Sequence, residues 1–267
     1  FADPPHVAVA VKHGNPCGAS AATSPEEALK LMLTGDTRAV FGAVVMVNFP
    51  ITGELAELLL RYGTEVRRLL DGICAPSFDE VALGSLGRRD GKFFLAVNPL
   101  LAELTADSLD KERLIRMVRG GFLVQPNYTK VIDLSAADIR GELSDQQRRD
   151  VATGIAICAT SNSNTVTEVR GNQLIANGVG QQDRVGCCEL AVVKANQNGH
   201  DSNGAVAVSD SFFPFSDGPQ VLLDAGVSVI FSTTGSNRDS DTQELCAERG
   251  ATLVQLPDAE ARMFARH

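Results

Sequence analysis

The chain opens its readable pattern with Val7-Ala8-Val9-Ala10-Val11, an apolar run that gives way to Lys12-His13-Gly14-Asn15-Pro16-Cys17-Gly18. That change of character predicts a strand ending in a turn. Ser24-Pro25-Glu26-Glu27 combines an N-cap serine, a proline at the first helical position and a glutamate three residues after the cap. It predicts a helix to about Leu33. Thr37 to Val47 reads as a buried strand broken at Phe41-Gly42, Gly53 to Tyr62 as a helix, and Leu69 to Pro76 as a strand with Asp71 set into it. A short helix at Phe78 to Leu83, a strand at Phe93 to Val97, a largely helical Leu101 to Val118 and a strand at Gly120 to Gln125 follow.

Residues Lys130 to Arg149 are polar and carry no sustained apolar run, so they are expected to connect into a helix at Asp145 to Thr160 capped by Ser144. The second half predicts a hairpin from Thr165 to Ala176 turning at Arg170-Gly171-Asn172, then a glycine-opened loop from Gly178 to Arg184. Strands at Ala205 to Val208, Val227 to Phe231 and Ala251 to Val254 alternate with helices at Pro219 to Asp224 and from Asp239 to Arg249. Strand, loop and helix recur in similar order in both halves. The expectation is an α/β fold of two related subdomains, residues 1–126 and 151–267, joined by a polar, helical connector at 127–150.

Composition narrows the class without naming it. The chain has 267 residues, 44% hydrophobic and 21% charged, and a formal charge of -9, so it has the material for a large core and lacks the basic footprint of a nucleic-acid or membrane-surface binder. No apolar run approaches a membrane span and the first residues have no signal-peptide character, so a cytoplasmic enzyme is expected. The six cysteines are scattered with no Cys-x-x-Cys pair, and are expected to be reduced and mostly buried, without metal.

Lys12 and His13 supply the first candidate chemistry. Histidine exchanges a proton near neutrality, and an adjacent ammonium offers charge to an anion, which suits general-base work. A solvated lysine and a turn histidine are the plain alternative. The string that follows decides between them, because Lys12-His13-Gly14-Asn15-Pro16-Cys17-Gly18 resembles the signature of the AICAR transformylase family, folate-dependent formyltransferases of purine synthesis usually fused to an IMP cyclohydrolase. Asp71-Gly72-Ile73-Cys74-Ala75-Pro76, Gly120 to Gln125, Ser161-Asn162-Ser163, Gly178 to Arg184 and Ser209 to Gly218 each resemble a family segment in the same order.

The resemblance implies a cytidine-deaminase-like α/β fold occurring twice without the deaminase zinc, and a homodimer with active sites at the subunit interface. It implies transfer of a formyl group from 10-formyltetrahydrofolate to the 5-amino group of AICAR, with no metal. By the same resemblance His13 is the base, Lys12 supplies positive charge, Asp71 holds Lys12, and Asn162 serves the oxyanion or the imidazole. Asn15, Gln181, Gln182, Arg184, Arg262, Phe264 and His267 are implied for the nucleotide, and Phe41, Phe212, Pro214, Phe215 and Asp217 for the folate. Structural roles compete at several positions: Asp71 as a turn start, Asn162 as a cap, Arg184 in an ion pair with Asp183, and at least one of Phe212, Phe213 and Phe215 in the core.

The sequence also departs from the family pattern. An Arg-Tyr-Gly-x-Asn-Pro-His-Gln string expected ahead of the Lys-His motif is absent, so another chain supplies it, the given sequence omits it, or the substrate differs. Asp183 stands where the family has serine, and the terminal Arg262-Met263-Phe264-Ala265-Arg266-His267 is one residue longer than the family spacing. The residues from Glu189 to Gly204 are fewer than in the family's counterpart. Two further readings follow: a paralogue formylating another heteroaromatic amine, and a non-catalytic nucleotide-binding relative.

Overall fold

A computed structural model describes residues 5–87, 92–125, 127, 129 and 131–264. Strand β1 (His6–Lys12) is the predicted first strand, but only His13 and Gly14 turn the chain. Both have positive φ, 52° and 79°, and β2 (Asn15–Ala22) returns antiparallel. A two-residue hairpin of this hand matches the strand twist, and the second turn position suits glycine. Asn15 to Gly18 are therefore strand and not turn, a correction to the sequence reading. Small residues and proline carry little strand propensity, so this strand left no pattern to see.

Helix α1 (Pro25–Leu33) begins where expected, with Ser24 Oγ accepting from the Glu27 amide at 3.2 Å. Strand β3 (Val44–Val47), α2 (Gly53–Arg61), β4 (Gly72–Ala75), α3 (Glu80–Leu86) and β5 (Phe94–Val97) complete the first half. The expected helix at 101–118 is not formed. Pro99–Glu103 and Ala106–Ser108 are single 3-10 turns, the second closed by reciprocal Thr105 and Ser108 caps. The chain then forms a separate antiparallel ribbon of β6 (Leu114–Val118) and β7 (Gly121–Gln125), turning at Gly120 with φ 84°. Thr105 and Ser108 spend their hydroxyls on a local turn and suit a helix interior poorly, and Ile115 and Val118 favour a strand.

Among its described residues the connector becomes α-helical only at Asp145. It holds a 3-10 turn at Leu134–Ala136 and an edge strand β8 (Asp138–Arg140) before α4 (Asp145–Cys158), which starts at a capping box of Ser144 and Gln147. Strands β9 (Val166–Arg170) and β10 (Gln173–Gly178) form the second hairpin, with Gly171 and Asn172 both at φ 60°. Next comes α5 (Arg184–Gln197), which the sequence reading missed because its buried face is made of Cys187, Cys188, Ala191 and Ala195 and not of large aliphatic residues. Strand β11 (Val206–Ser209), α6 (Asp217–Asp224), β12 (Val229–Thr234), α7 (Asp239–Glu248), β13 (Thr252–Pro257) and α8 (Asp258–Ala261) finish the chain.

Eleven strands form one mixed sheet in the order β5-β4-β3-β1-β2-β10-β9-β11-β12-β13-β8. Read outward from its centre, each half repeats one plan: a hairpin whose first strand pairs antiparallel with the third strand, followed by two parallel neighbours. Each hairpin also carries a glycine against the next helix. A Cβ at Gly18 would lie 2.2 Å from the Met32 carbonyl oxygen of α1, and one at Gly178 2.5 Å from the Cys187 carbonyl oxygen of α5. The last residue of the opening motif is thus glycine because a helix backbone sits on it.

The halves differ in how their faces are covered. In the second, α5 and α6 pack against one face while α4 and α8 seal the other around Val206, Val208, Phe231 and Val254. In the first, α1, α2 and α3 cover Ala8, Ala10, Val45 and Ile73. Its opposite face presents Val7, Val9, Val11 and Met46 to an apolar groove of 460 Å³ beside α4. No described helix is long and apolar enough to cross a membrane.

Candidate active site

The Lys-His hairpin is held by its own neighbours. His13 is exposed at the tip, and Lys12 Nζ donates to the Phe41 carbonyl at 2.7 Å. The expected Lys12–Asp71 ion pair is not formed; the Asp71 backbone instead bridges strands, its amide donating to Ala43 and its carbonyl accepting from Phe94. Gly72, beside it, is glycine because the Phe94 ring lies over its Cα, 2.4 Å from where a Cβ would be.

Asn15 fastens the hairpin to the second half. Its Nδ2 donates to the His13 carbonyl at 3.3 Å and its Oδ1 accepts from the Asn162 amide at 2.9 Å. Asn177, which the sequence reading did not single out, adds a buried amide that donates to the Pro16 carbonyl and to Ser161 Oγ, both at 3.0 Å. Lys12, His13, Asn15 and Asn162 are therefore brought together across the junction of the two halves. Cys17 lies under this hairpin with its thiol pushed up to about 11, by burial first and by the Asp36 charge second. It stays a neutral thiol at ordinary pH.

A second cluster forms at the carboxyl ends of β11, β12 and β13, where open α/β sheets commonly bind ligands. This cleft of 590 Å³ is lined by Gln182, Arg184, Phe212, Pro214, Phe215, Asp217, Arg262 and Phe264 among others. These are eight of the residues singled out from sequence, drawn from three separate segments. Phe213 is the aromatic that turns into the core, while Phe215 is 51% exposed. Asp217 stands in the first turn of α6 and accepts from the Gly218 amide at 2.8 Å.

Lys12, His13, Asp71 and Phe41 do not line the cleft. The loop 161–165 links the two clusters, since the Asn162 carbonyl accepts from Gly180 and Asn164 Nδ2 donates to the Gln181 carbonyl at 2.9 Å. Asn164 itself reaches the cleft. Gln181 turns its own amide back to the Val179 carbonyl. His267 lies outside the described residues.

Charge in the cleft differs from expectation. Arg184 pairs with Asp210 and donates to Ser209 Oγ at 3.1 Å; the pair is almost wholly buried. Asp183, the expected partner, is instead the N-cap of α5, accepting from the Gly186 amide at 2.7 Å. Its charge favours the helix start. Asp258, unmarked by any motif, accepts from Ser211 Oγ at 2.7 Å and Thr233 Oγ1 at 2.6 Å, with Arg262 loosely paired at 3.8 Å. Beneath the floor, burial and then the Asp210 charge push the Cys187 thiol up to about 12, which removes it as a nucleophile. Among the described residues no three His, Cys, Asp or Glu side chains converge as metal ligands.

Residues 1–194 match the family model described as AICARFT/IMPCHase bienzyme. The chain belongs to that family. Relatives include the bifunctional purine biosynthesis protein PurH of Staphylococcus carnosus, 34% identical over 92% of this chain and 47% of the relative. PurH of Prochlorococcus marinus is 34% identical over 92% of this chain and 45% of its own length. PurH of Cutibacterium acnes is 34% identical over 93% and 46%. The chain thus spans about half the length of the curated relatives it matches. Membership gives the two clusters a common context: the hairpin motif falls inside the matched 1–194 span, as does the loop ending at Arg184 that forms one wall of the cleft.

Proposed function

We propose that this chain is the formyltransferase part of its family's bienzyme, moving a formyl group from 10-formyltetrahydrofolate to the 5-amino group of AICAR in purine biosynthesis, in the cytoplasm. The observation that carries this reading is the cleft, which gathers aromatic, amide, carboxylate and arginine side chains from the two family-like segments Gly178 to Arg184 and Ser209 to Gly218 and from residues 258–264. The pterin lies against Phe212, Pro214 and Phe215, with Asp217 accepting from its amino-pyrimidine edge; the nucleotide uses Gln182, Arg262 and Phe264. Each half is then a cytidine-deaminase-like unit, in keeping with the repeated strand plan.

The reaction needs a base, since an arylamine attacks poorly until its proton leaves. His13 takes that proton as the nitrogen bonds to the formyl carbon, with Lys12 and Asn162 stabilising the oxyanion. As the tetrahedral intermediate collapses, the carbon–N10 bond breaks and the proton returns to N10 of tetrahydrofolate.

Because Lys12 and His13 stand outside the cleft of their own chain, we infer a homodimer in which one copy's hairpin closes the other's cleft. Two uncovered apolar surfaces support it: the first-half sheet face, and the ribbon, where Ile115, Met117 and Phe122 are 63%, 83% and 66% exposed. The intact protein given AICAR and 10-formyltetrahydrofolate should release tetrahydrofolate, and His13→Ala should lower kcat by about 100-fold or more. Absence of transfer by the intact protein would sink the assignment. The Arg184–Asp210 pair favours a second reading, a non-phosphorylated amine substrate, because it uses a cation that a phosphate would otherwise take. A higher kcat/KM for the AICAR nucleoside than for AICAR selects that reading.

A further inference from the structure

The cleft has an unequal distribution of charge that bears on how a folate can enter it. Asp183, Asp217 and Asp258 line it, while its two arginines are engaged: Arg184 with buried Asp210, and Arg262 with Asp258 and, at 5.6 Å, over the Phe264 ring. A dianion placed within it would face carboxylates at close range, which is unfavourable in a partly desolvated site.

One cation stands at the rim in a different state. The guanidinium of Arg238 lies 5.1 Å from the centroid of Phe215, on the exposed ring that forms the cleft's lip. Its side chain is 58% exposed, and its ionic neighbour Asp241 is 3.9 Å away, beyond hydrogen-bond distance. The backbone beneath it is firmly set. Asp239 accepts from the Gly235 amide at 2.8 Å and the Ser236 amide at 3.3 Å, and Ser236 Oγ accepts from the Arg238 amide at 3.1 Å. Gly235, at φ 137°, sets this loop beside the cleft wall, where a Cβ added to it would lie 3.5 Å from Asp258 and 3.6 Å from Phe212. The result is a positioned, largely exposed guanidinium at the mouth of an acidic, aromatic-walled cleft.

We propose that Arg238 recognises the glutamyl carboxylates of the folate cosubstrate. This rests on the reading that the cleft takes the pterin. A folate is flat and neutral at one end and dianionic at the other, separated by an aminobenzoyl ring. With the pterin between Phe212 and Asp217, the benzoyl ring crosses Phe215 and the carboxylates emerge at Arg238, where the planar fork donates two parallel hydrogen bonds to a carboxylate. The ring under the guanidinium holds it side-on to the exit and excludes water from one face, which strengthens the pairing. Arg238 is thus a specificity residue: it contributes to binding and leaves the reacting atoms untouched.

Calorimetric titration of the intact protein with tetrahydrofolate and with tetrahydropteroate, which lacks the glutamate, separates these effects. Arg238→Gln should weaken tetrahydrofolate about fivefold while changing tetrahydropteroate by less than about twofold, and Arg238→Lys should recover part of the loss. Arg249→Gln, which removes a similar surface charge paired with Asp224, should change neither. Equal weakening of both ligands, or of neither, overturns the tail assignment while leaving the folate cleft standing. Failure of wild-type protein to bind either ligand overturns the cleft reading, and Arg238's role with it.

Discussion

At the scale of single residues, the cleft's stability turns on one ion pair. Arg184 and Asp210 are 9% and 0% exposed, so each charge depends on the other for the solvation it has lost. One Asp210 oxygen, Oδ2, has no hydrogen-bond partner among the described residues, so the site is already costly. Asp210→Ala should therefore destabilise the fold by about 3–5 kcal/mol by leaving a buried guanidinium unpaired, whereas Arg184→Met with Asp210→Leu should cost less than the single change. Urea unfolding measures both; an Asp210→Ala protein within about 1 kcal/mol of wild type would contradict the pairing. The residue types of this site were legible because they sit in contiguous strings, Gly178 to Arg184 and Ser209 to Gly218. Their partners were not. Arg184 meets Asp210 across 26 positions, and Asp258, Asn164 and Asn177 enter through folding alone.

At the scale of elements, caps were read well and small-residue elements poorly. Ser24 and Ser144 each accept the expected amide, because an N-cap is a local bond between residues two or three apart. Strand β2 and helix α5 were missed or misread because both are built from alanine, cysteine and glycine, whose burial depends on what comes close. The close approach is itself testable. Gly18→Ala should destabilise by about 1–3 kcal/mol, since the new methyl meets a backbone carbonyl of α1 and no flexible side chain can yield. Gly84→Ala, in exposed α3 with nothing within 4 Å, should instead stabilise by up to about 1 kcal/mol. Thermal or urea unfolding of the two variants checks the contrast; equal effects would show that α1 does not pack on Gly18 as described.

For the whole molecule, the open question is which surfaces complete the site. The second half is covered on both faces of its sheet and the first on only one, while an apolar ribbon projects unpaired. A composite site between two copies makes a clear prediction. His13→Ala damages the hairpin side and Asp217→Ala the cleft side, so co-expressed chains carrying one change each should assemble mixed dimers with one intact site, restoring up to about a quarter of wild-type activity. No recovery above either variant alone would mean that hairpin and cleft of the same chain work together.

Local chemistry was determined by the order of residues alone: the strand that leads to the Lys-His turn, the capped starts of α1 and α4, the aromatic and carboxylate string of the cleft and the alternation that makes an α/β fold. These depend on bonds and contacts within a few residues, which a sequence displays directly. The tertiary structure alone decided that the two halves share one eleven-stranded sheet, that Arg184 is neutralised by Asp210, that Asn15 ties the Lys-His hairpin to Asn162, and that hairpin and cleft stand apart within a chain. Each depends on pairing between distant segments, where burial and lost solvation choose the partner and no local preference records the choice.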